Sequence, residues 1–141
     1  MVQKASPKLT EMMNQAIAAE LQAIVQYMWH HVMGKGFDSA AITAQMRLTA
    51  LDEMRHAEML ADRIDYLGGM PTATLSKVYM GGALHKMVED DFDGENRAIA
   101  QYKEHIGLCQ ELSDPTSRLM LETILTDEER HAHTWETILG K

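Results

Sequence analysis

Residues 52–57 read Asp-Glu-Met-Arg-His-Ala, and residues 127–132 read Asp-Glu-Glu-Arg-His-Ala. Each carries a Glu with a His three positions on: Glu53 with His56, and Glu128 with His131. Three residues of α-helix subtend about 300°, so such a pair projects from one face and can grip one ion or an adjacent pair. One Glu-x-x-His alone is a weak signal. Here the spacing of the copies, 128 − 53 = 75, recurs in a second pair of segments. Residues 20–30 are ELQAIVQYMWH and residues 95–105 are ENRAIAQYKEH, sharing Glu, Ala, Ile, Gln, Tyr and His at 95 − 20 = 75. Four carboxylates (Glu20, Glu53, Glu95, Glu128) and two imidazoles (His56, His131) thus come in two matching sets. Their chemistry is that of a site for two divalent cations. Four negative charges balance two such ions, and neutral imidazole adds ligand field without adding charge.

These side chains converge only if the segments that carry them are packed helices. Ser6-Pro7 and Asp114-Pro115 each read as an N-cap followed by proline at the first helical position. Gly34-Lys35-Gly36 breaks the chain before a third start at Phe37-Asp38-Ser39, and residues 68–83, GGMPTATLSKVYMGGA, form the one long connection. Helices are therefore expected at about 7–34, 39–67, 84–112 and 115–139. That is two long hairpins joined by a crossover, an all-α four-helix bundle.

The apolar spacing says which faces turn inward. The first helix gives Leu9, Met13, Ala16, Glu20, Ala23, Tyr27 and His30. The second gives Ile42, Met46, Thr49, Glu53, His56, Leu60 and then Ile64 or Leu67. The third gives Leu84, Val88, Asp91, Glu95, Ala98, Tyr102, His105, Cys109 and Leu112; the fourth, Leu121, Ile124, Glu128, His131, Trp135 and Ile138. Steps of four and three define the inner seam of a bundle. All four glutamates lie on that seam. A buried, unpaired carboxylate costs several kcal/mol, and four together also repel one another. A metal-free helical interaction module would have to bear that cost, so a dimetal centre is the stronger expectation.

At 141 residues the chain is expected to form one domain, 1–141, with its own core. A net charge of −8 argues against nucleic acid or an anionic membrane and for a cationic partner. No apolar window of about 18 residues is present, so no membrane span is expected. The start, MVQKASPKL, has no apolar signal core. Cys109 is the only cysteine, which excludes an internal disulfide and a CxxC iron site and marks it as a small buried hydrophobe. A reducing cytoplasm is the expected location.

The chain resembles the bacterioferritin branch of the ferritin-like diiron family. The family pattern is an inward Glu with Tyr seven later, then Glu-x-x-His, then an inward Glu, then Glu-x-x-His. Here these are Glu20 with Tyr27, Glu53 and His56, Glu95, and Glu128 and His131. The resemblance covers nearly all of the four helices and implies a ferritin-like bundle with a pseudo-two-fold axis. It implies that Glu53 and Glu128 bridge two Fe (or Mn) ions while Glu20 and Glu95 are terminal ligands. The implied activity is ferroxidation, Fe(II) being oxidised by O2 or H2O2 and stored as Fe(III). The alternative on the same ligands is a rubrerythrin-like peroxidase, served by a separate electron-donor protein, or a dimanganese catalase. The family also binds haem b between two subunits through one Met from each, at the position after the first bridging Glu. Met54 stands there, with Leu21, Ile24 and Met28 as a pocket wall. Two departures are noted: Leu48 replaces the family's inner-surface His, and only Ala132–Lys141 follow the last ligand. No fifth helix is therefore expected, and the expected assembly is a homodimer, with a larger cage as the alternative.

Several neighbours admit two readings. Tyr27 and Tyr102 lie close to Glu20 and Glu95 on the helical wheel, so each could hydrogen-bond a ligand or supply an electron; otherwise each is a core Tyr with a satisfied hydroxyl. Asp52 and Asp127 are placed to hold the free ring N–H of a ligand His from the facing helix. Arg55 and Arg130 read as surface partners of acids one turn away. His30 and His105 follow the seam and are expected to be satisfied core histidines.

Overall fold

A computed structural model describes residues 6–141. Part of the start read as lacking a signal core, residues 1–5, lies outside the described residues. Four helices run α1 (Pro7–Met33), α2 (Ser39–Tyr66), α3 (Leu84–Glu111) and α4 (Pro115–Leu139). The starts are set by local chemistry. Ser6 Oγ accepts the Leu9 N–H at 3.1 Å, and the Asp114 carboxylate accepts the Ser117 N–H at 3.0 Å. Each satisfies a backbone donor that the first turn leaves free. Gly34 ends α1 where the hairpin closes tightly: an added Cβ would stand 2.5 Å from the Thr43 methyl.

α1 packs along α2, α3 along α4, and the two hairpins meet chiefly through α1 and α3. α1 and α3 are antiparallel, since Glu20 meets Tyr102, Tyr27 meets Glu95 and His30 meets Asp91. The crossover runs back along α1 in the chain direction. The Thr72 N–H donates to Asn14 Oδ1 at 2.8 Å, Ser76 N–H to the Ala18 carbonyl at 3.0 Å, and Tyr79 N–H to Gln26 Oε1 at 2.9 Å. Gly68, Gly81 and Gly82 supply the positive φ angles where it leaves α2 and enters α3.

The core falls into two apolar blocks. One, with Leu9, Met13, Leu60, Ile64, Cys109, Leu121 and Ile124, closes one end of the bundle. The other, with Met46, Ala50, Met87, Val88 and Trp135, closes the other. The polar seam residues lie between them, so they are sealed from water on both sides along the axis. The seam reaches less far than the spacing suggested: Leu112 is 38 % and Ile138 is 42 % exposed. Both lie where the bundle ends, Leu112 as the C-cap of α3 and Ile138 in the last turn of α4, so no facing helix covers them. No described helix is long and apolar enough to cross a membrane.

Candidate metal centre

Each helix delivers one carboxylate to the middle of the bundle, and α2 and α4 each add an imidazole. Glu20, Glu53, His56, Glu95, Glu128 and His131 are all buried. Their donor atoms form two groups, each spanning no more than 4.8 Å: Glu20, Glu53, His56 and Glu128, and Glu53, Glu95, Glu128 and His131. Glu53 and Glu128 belong to both groups, Glu20 and Glu95 to one each. His56 Nδ1 lies 2.8 Å from Glu53 Oε2 and 3.1 Å from Glu128 Oε1. His131 Nδ1 lies 3.5 Å from Glu53, Glu95 and Glu128 alike.

The second nitrogen of each ring is held as the sequence reading expected. His56 Nε2 faces Asp127 Oδ2 at 2.9 Å, and His131 Nε2 faces Asp52 Oδ2 at 2.8 Å. A carboxylate at Nε2 fixes that nitrogen as the N–H and turns the Nδ1 lone pair inward, toward the carboxylates. Arg55 is the surface partner of Asp52. Arg130 does more, binding Asp127 on its own helix and Asp52 across on α2, each at 3.2 Å. It therefore ties the two supporting carboxylates together.

The tyrosines bond to the opposite hairpin. Tyr27 Oη donates to Glu95 at 2.5 Å, and Tyr102 Oη donates to Glu20. Each therefore bonds a carboxylate of the cluster, one of the readings open from the sequence, and that carboxylate is the one on the facing helix, not the Glu seven residues earlier on its own. Seven residues are about 10.5 Å of rise, too far for a hydrogen bond, and antiparallel packing supplies the level partner instead. Tyr27 Oη also accepts from Trp135 Nε1 at 2.8 Å, and the two rings stack with centroids 5.9 Å apart.

Without a cation the cluster is electrostatically frustrated. Burial raises Glu20, and the Glu128 charge adds to the shift. Burial and the charges of Glu128, Glu20 and Glu95 push Glu53 well above the carboxylate range. Glu95 is pushed up to about 8 by burial and by the Glu128 charge. Burial would raise Glu128 too, but the His131 and His56 imidazoles beside it win and hold it down to about 2. Burial disfavours the charged form of both histidines, yet the ring of carboxylates overcomes it and raises each well above the imidazole range. Protons here stand in for positive charge that the donors demand. Glu20 Oε2, Glu95 Oε2, Glu128 Oε1 and His131 Nδ1 are buried without a hydrogen-bond partner. Four orphaned donor atoms in one place fit metal ligation and nothing that the surrounding helices supply.

A cavity of about 290 Å³ reaches this cluster from the α1–α3 side, lined by Glu20, Glu95 and Tyr102 within and by Lys77, Tyr79 and Arg97 at its mouth. The Lys77 ammonium lies 4.8 Å and the Arg97 guanidinium 5.1 Å from the centre of the Tyr79 ring. Neither the repeat nor the apolar spacing singles out this part of the crossover. A buried network also lies on the cavity wall: Asp91 Oδ1 accepts from Gln26 Nε2 at 2.9 Å and faces His30 Nδ1 at 2.8 Å. A charged residue on the seam was the available signal. The repeat hid it, because position 91 − 75 = 16 is alanine. His30 is thus satisfied at Nδ1, though not at Nε2. His105 departs from the expectation: its buried Nδ1 has no partner.

Comparison with known proteins bears on this geometry. Residues 10–141 match the family described as ferritin-like domain. The bacterioferritin of Desulfovibrio desulfuricans is 39 % identical over 132 residues, covering 93 % of this chain and 74 % of that protein. That of Mycobacterium leprae is 34 % identical over 135 residues, covering 95 % and 85 %. Among solved structures, a Mycobacterium tuberculosis bacterioferritin superposes with a TM-score of 0.92 at 34 % identity, covering 97 % of this chain and 87 % of that one. A Rhodobacter capsulatus bacterioferritin, described with a metal-free dinuclear site and haem iron in a crystallographic special position, gives 0.92 at 32 % identity over 97 % and 86 %. With a four-helix bundle, an inward carboxylate–histidine cluster and these relatives, the chain belongs to the ferritin-like family, in its bacterioferritin branch.

Proposed function

We propose that this chain is a ferroxidase: it binds two Fe(II) per subunit as substrate and passes their electrons to O2 or H2O2. Glu53 and Glu128 bridge the two ions, Glu20 and Glu95 are terminal ligands, and His56 and His131 each hold one ion. The observation that carries this reading is the sharing of donors. Glu53 and Glu128 are the two residues common to both four-residue groups. Four carboxylates neutralise two Fe(II), and a centre of carboxylate and imidazole also accepts Mn(II). The bacterioferritin relatives favour iron oxidation over a peroxidase or catalase on the same ligands.

The protein's own residues then have defined work. Asp52 and Asp127 keep each imidazole in the tautomer that presents Nδ1 to the ion. Tyr27 and Tyr102 donate to the terminal carboxylates, which orients one oxygen of each toward the centre. Tyr27, in contact with Glu95 and Trp135, is the aromatic group placed to give up an electron to the centre. The α1–α3 cavity admits a small oxidant while the apolar blocks at both ends exclude bulk water.

The same reading puts haem b between two copies of the chain, with Met54 from each as axial ligand. Met54 is 51 % exposed on the outer face of α2, and Leu48, Leu51 and Met28 are exposed with it. A two-fold interface doubles any single ligand, so one Met per chain is enough. Storage of Fe(III), and any electron-donor protein that would return it to Fe(II), depend on an assembly larger than this chain.

The decisive test is aerobic addition of Fe(II) to metal-free protein, followed in the near-UV. A fast phase saturating at two Fe(II) per chain is expected. Oxidation no faster than in buffer would overturn the proposal. Rapid H2O2 disproportionation without iron turnover would replace it with the catalase reading.

A further inference from the structure

The cavity that reaches the dinuclear centre from the α1–α3 side sorts its charges by depth. The carboxylates that line it are Glu20, Glu53, Asp91, Glu95 and Glu128, and all of them are buried. The exposed charges that line it are Lys77 on the crossover and Arg97 on α3. Among the described residues neither cation has an ion-pair partner. Anions thus form the floor of the cavity, and free cations its rim.

Both cations are held where they are. The crossover is fastened to α1 on either side of Lys77: Ser76 N–H donates to the Ala18 carbonyl at 3.0 Å, and Tyr79 N–H to Gln26 Oε1 at 2.9 Å. The Tyr79 ring has the Lys77 ammonium 4.8 Å and the Arg97 guanidinium 5.1 Å from its centre, so one aromatic ring attracts both charges to the rim. The repeat does not require this arrangement. The position matching Arg97 is 97 − 75 = 22, and Gln22, which lines the same cavity, is neutral. Two cations at the way in to a cation site oppose metal uptake by that way. Each repels a divalent ion over a Debye length of about 10 Å, whereas O2 and H2O2 are neutral and pass without that barrier. The buried carboxylates attract a metal ion from whichever side it comes; the rim charges oppose it on this path alone.

We propose that Lys77 and Arg97 make this entrance an oxidant port: it passes O2 or H2O2 to the centre and turns Fe(II) away, so the metal ions arrive by another face of the bundle. The inference rests on the ferroxidase reading and adds to it a separation of the two substrates' paths. Charge selects between them, since the substrates differ in charge. With Fe(II) kept out of the cavity, the oxidant's way to a loaded centre stays clear even when Fe(II) is abundant outside.

The test reads metal uptake and oxidant attack separately. Co(II) binding to metal-free protein is followed by stopped-flow visible absorbance, and oxidation of Fe(II)-loaded protein by H2O2 in the near-UV. In Lys77→Glu/Arg97→Glu, altered only at exposed positions, Co(II) should bind at least about fivefold faster than in wild type at low salt. That gain should shrink in about 1 M salt, and the H2O2 step should change less than about twofold. Ser76 is exposed and lines the cavity, and Cys109 is fully buried, so a bulky maleimide on Ser76→Cys plugs the entrance alone. The plug should slow the H2O2 step at least about fivefold and leave the Co(II) rate unchanged. Co(II) uptake no faster in the double glutamate variant overturns the inference while the dinuclear reading stands. So does a plug that slows Co(II) as much as H2O2, or one that slows neither. Failure of wild type to take up Co(II) overturns both.

Discussion

The two hairpins of this bundle are copies of one design, and their differences are more instructive than their likeness. At the centre the copies agree. Glu20 and Glu95, Glu53 and Glu128, His56 and His131, and Asp52 and Asp127 occupy matching places and make matching contacts. One turn outward they diverge. His30 is paired with Asp91, whereas the residue matching Asp91 in the other half is Ala16 and the buried Nδ1 of His105 has no partner. Tyr27 accepts from Trp135, whereas the residue matching Trp135 beside Tyr102 is Leu60. Met54 of the first half is matched by Glu129 in the second. The charge balance of two cations demands symmetry only from the donors and the carboxylates that orient them. Beyond that shell each half is free to serve a different purpose.

If the centre is symmetric, Glu53→Ala and Glu128→Ala should each reduce iron oxidation to the background rate while leaving the bundle folded. Circular dichroism and aerobic Fe(II) kinetics check this. Full activity in either variant would break the equivalence of the bridging pair. Removal of Glu53 also relieves like-charge repulsion, so metal-free Glu53→Ala should not melt much below wild type, whereas Glu128→Ala takes from both histidines the carboxylate that supports them most and should melt lower.

The next largest effect is on stability against pH in the metal-free protein. Glu20, Glu53 and Glu95 are raised in the folded state, Glu95 to about 8. Between about pH 4.5 and 8 the folded protein therefore holds protons that the unfolded chain has released, and stability falls as pH rises. The raised histidines act in the same direction: their contribution is complete below about pH 6.5 and is lost as pH climbs through the folded values. Glu128, held down to about 2, opposes this only in acid, its contribution fading as pH falls from about 4.5. The melting temperature of metal-free protein should thus decline from pH 5 to pH 8. Two equivalents of Mn(II) should abolish the decline by displacing the protons. A melting temperature rising with pH in the metal-free state would contradict the charge assignment.

The divergent shell gives a sharper contrast. Asp91→Ala leaves His30 buried without its partner and should cost roughly 3 kcal/mol. His105→Leu removes no hydrogen bond and should cost less than about 1.5 kcal/mol. Urea denaturation of both variants checks the difference, and equal losses would erase the asymmetry.

Asp52→Ala and Asp127→Ala each free one imidazole and should weaken metal binding about 10- to 100-fold. The effect should be larger for Asp52, the more buried of the two and the one Arg130 reaches across to hold. Mn(II) titration measures it. The smallest effect concerns the unpaired methionine. On the proposed reading, Met54→Leu keeps the volume and should leave the assembly and the metal centre unchanged, but should bind haem at least tenfold more weakly, about 1.4 kcal/mol. A low-spin bis-Met spectrum in wild type that is lost in the variant is the expected result. The same spectrum in both would leave Met54 a packing residue.

The sequence by itself determined the helices and the donors. Proline at the first helical position, the caps at Ser6 and Asp114 and the break at Gly34 act within one turn of chain, so they are readable locally. The four inward glutamates were legible because a carboxylate on an apolar seam is costly enough to require a reason. The supporting role of Asp52 and Asp127 was legible through the repeat. Contacts between hairpins were decided only by tertiary structure. The register of antiparallel α1 against α3 pairs Tyr27 with Glu95 and Tyr102 with Glu20, and so selects which carboxylate each Tyr meets. It also brings His30 level with Asp91. The path of the crossover, which sets Lys77 and Tyr79 over the cavity beside Arg97, depends on the Asn14, Ala18 and Gln26 positions it bonds to. Local periodicity fixes which way a side chain points from its own helix. What it meets there depends on how far the partner helix has slid, and that is set by packing over the whole length of the bundle.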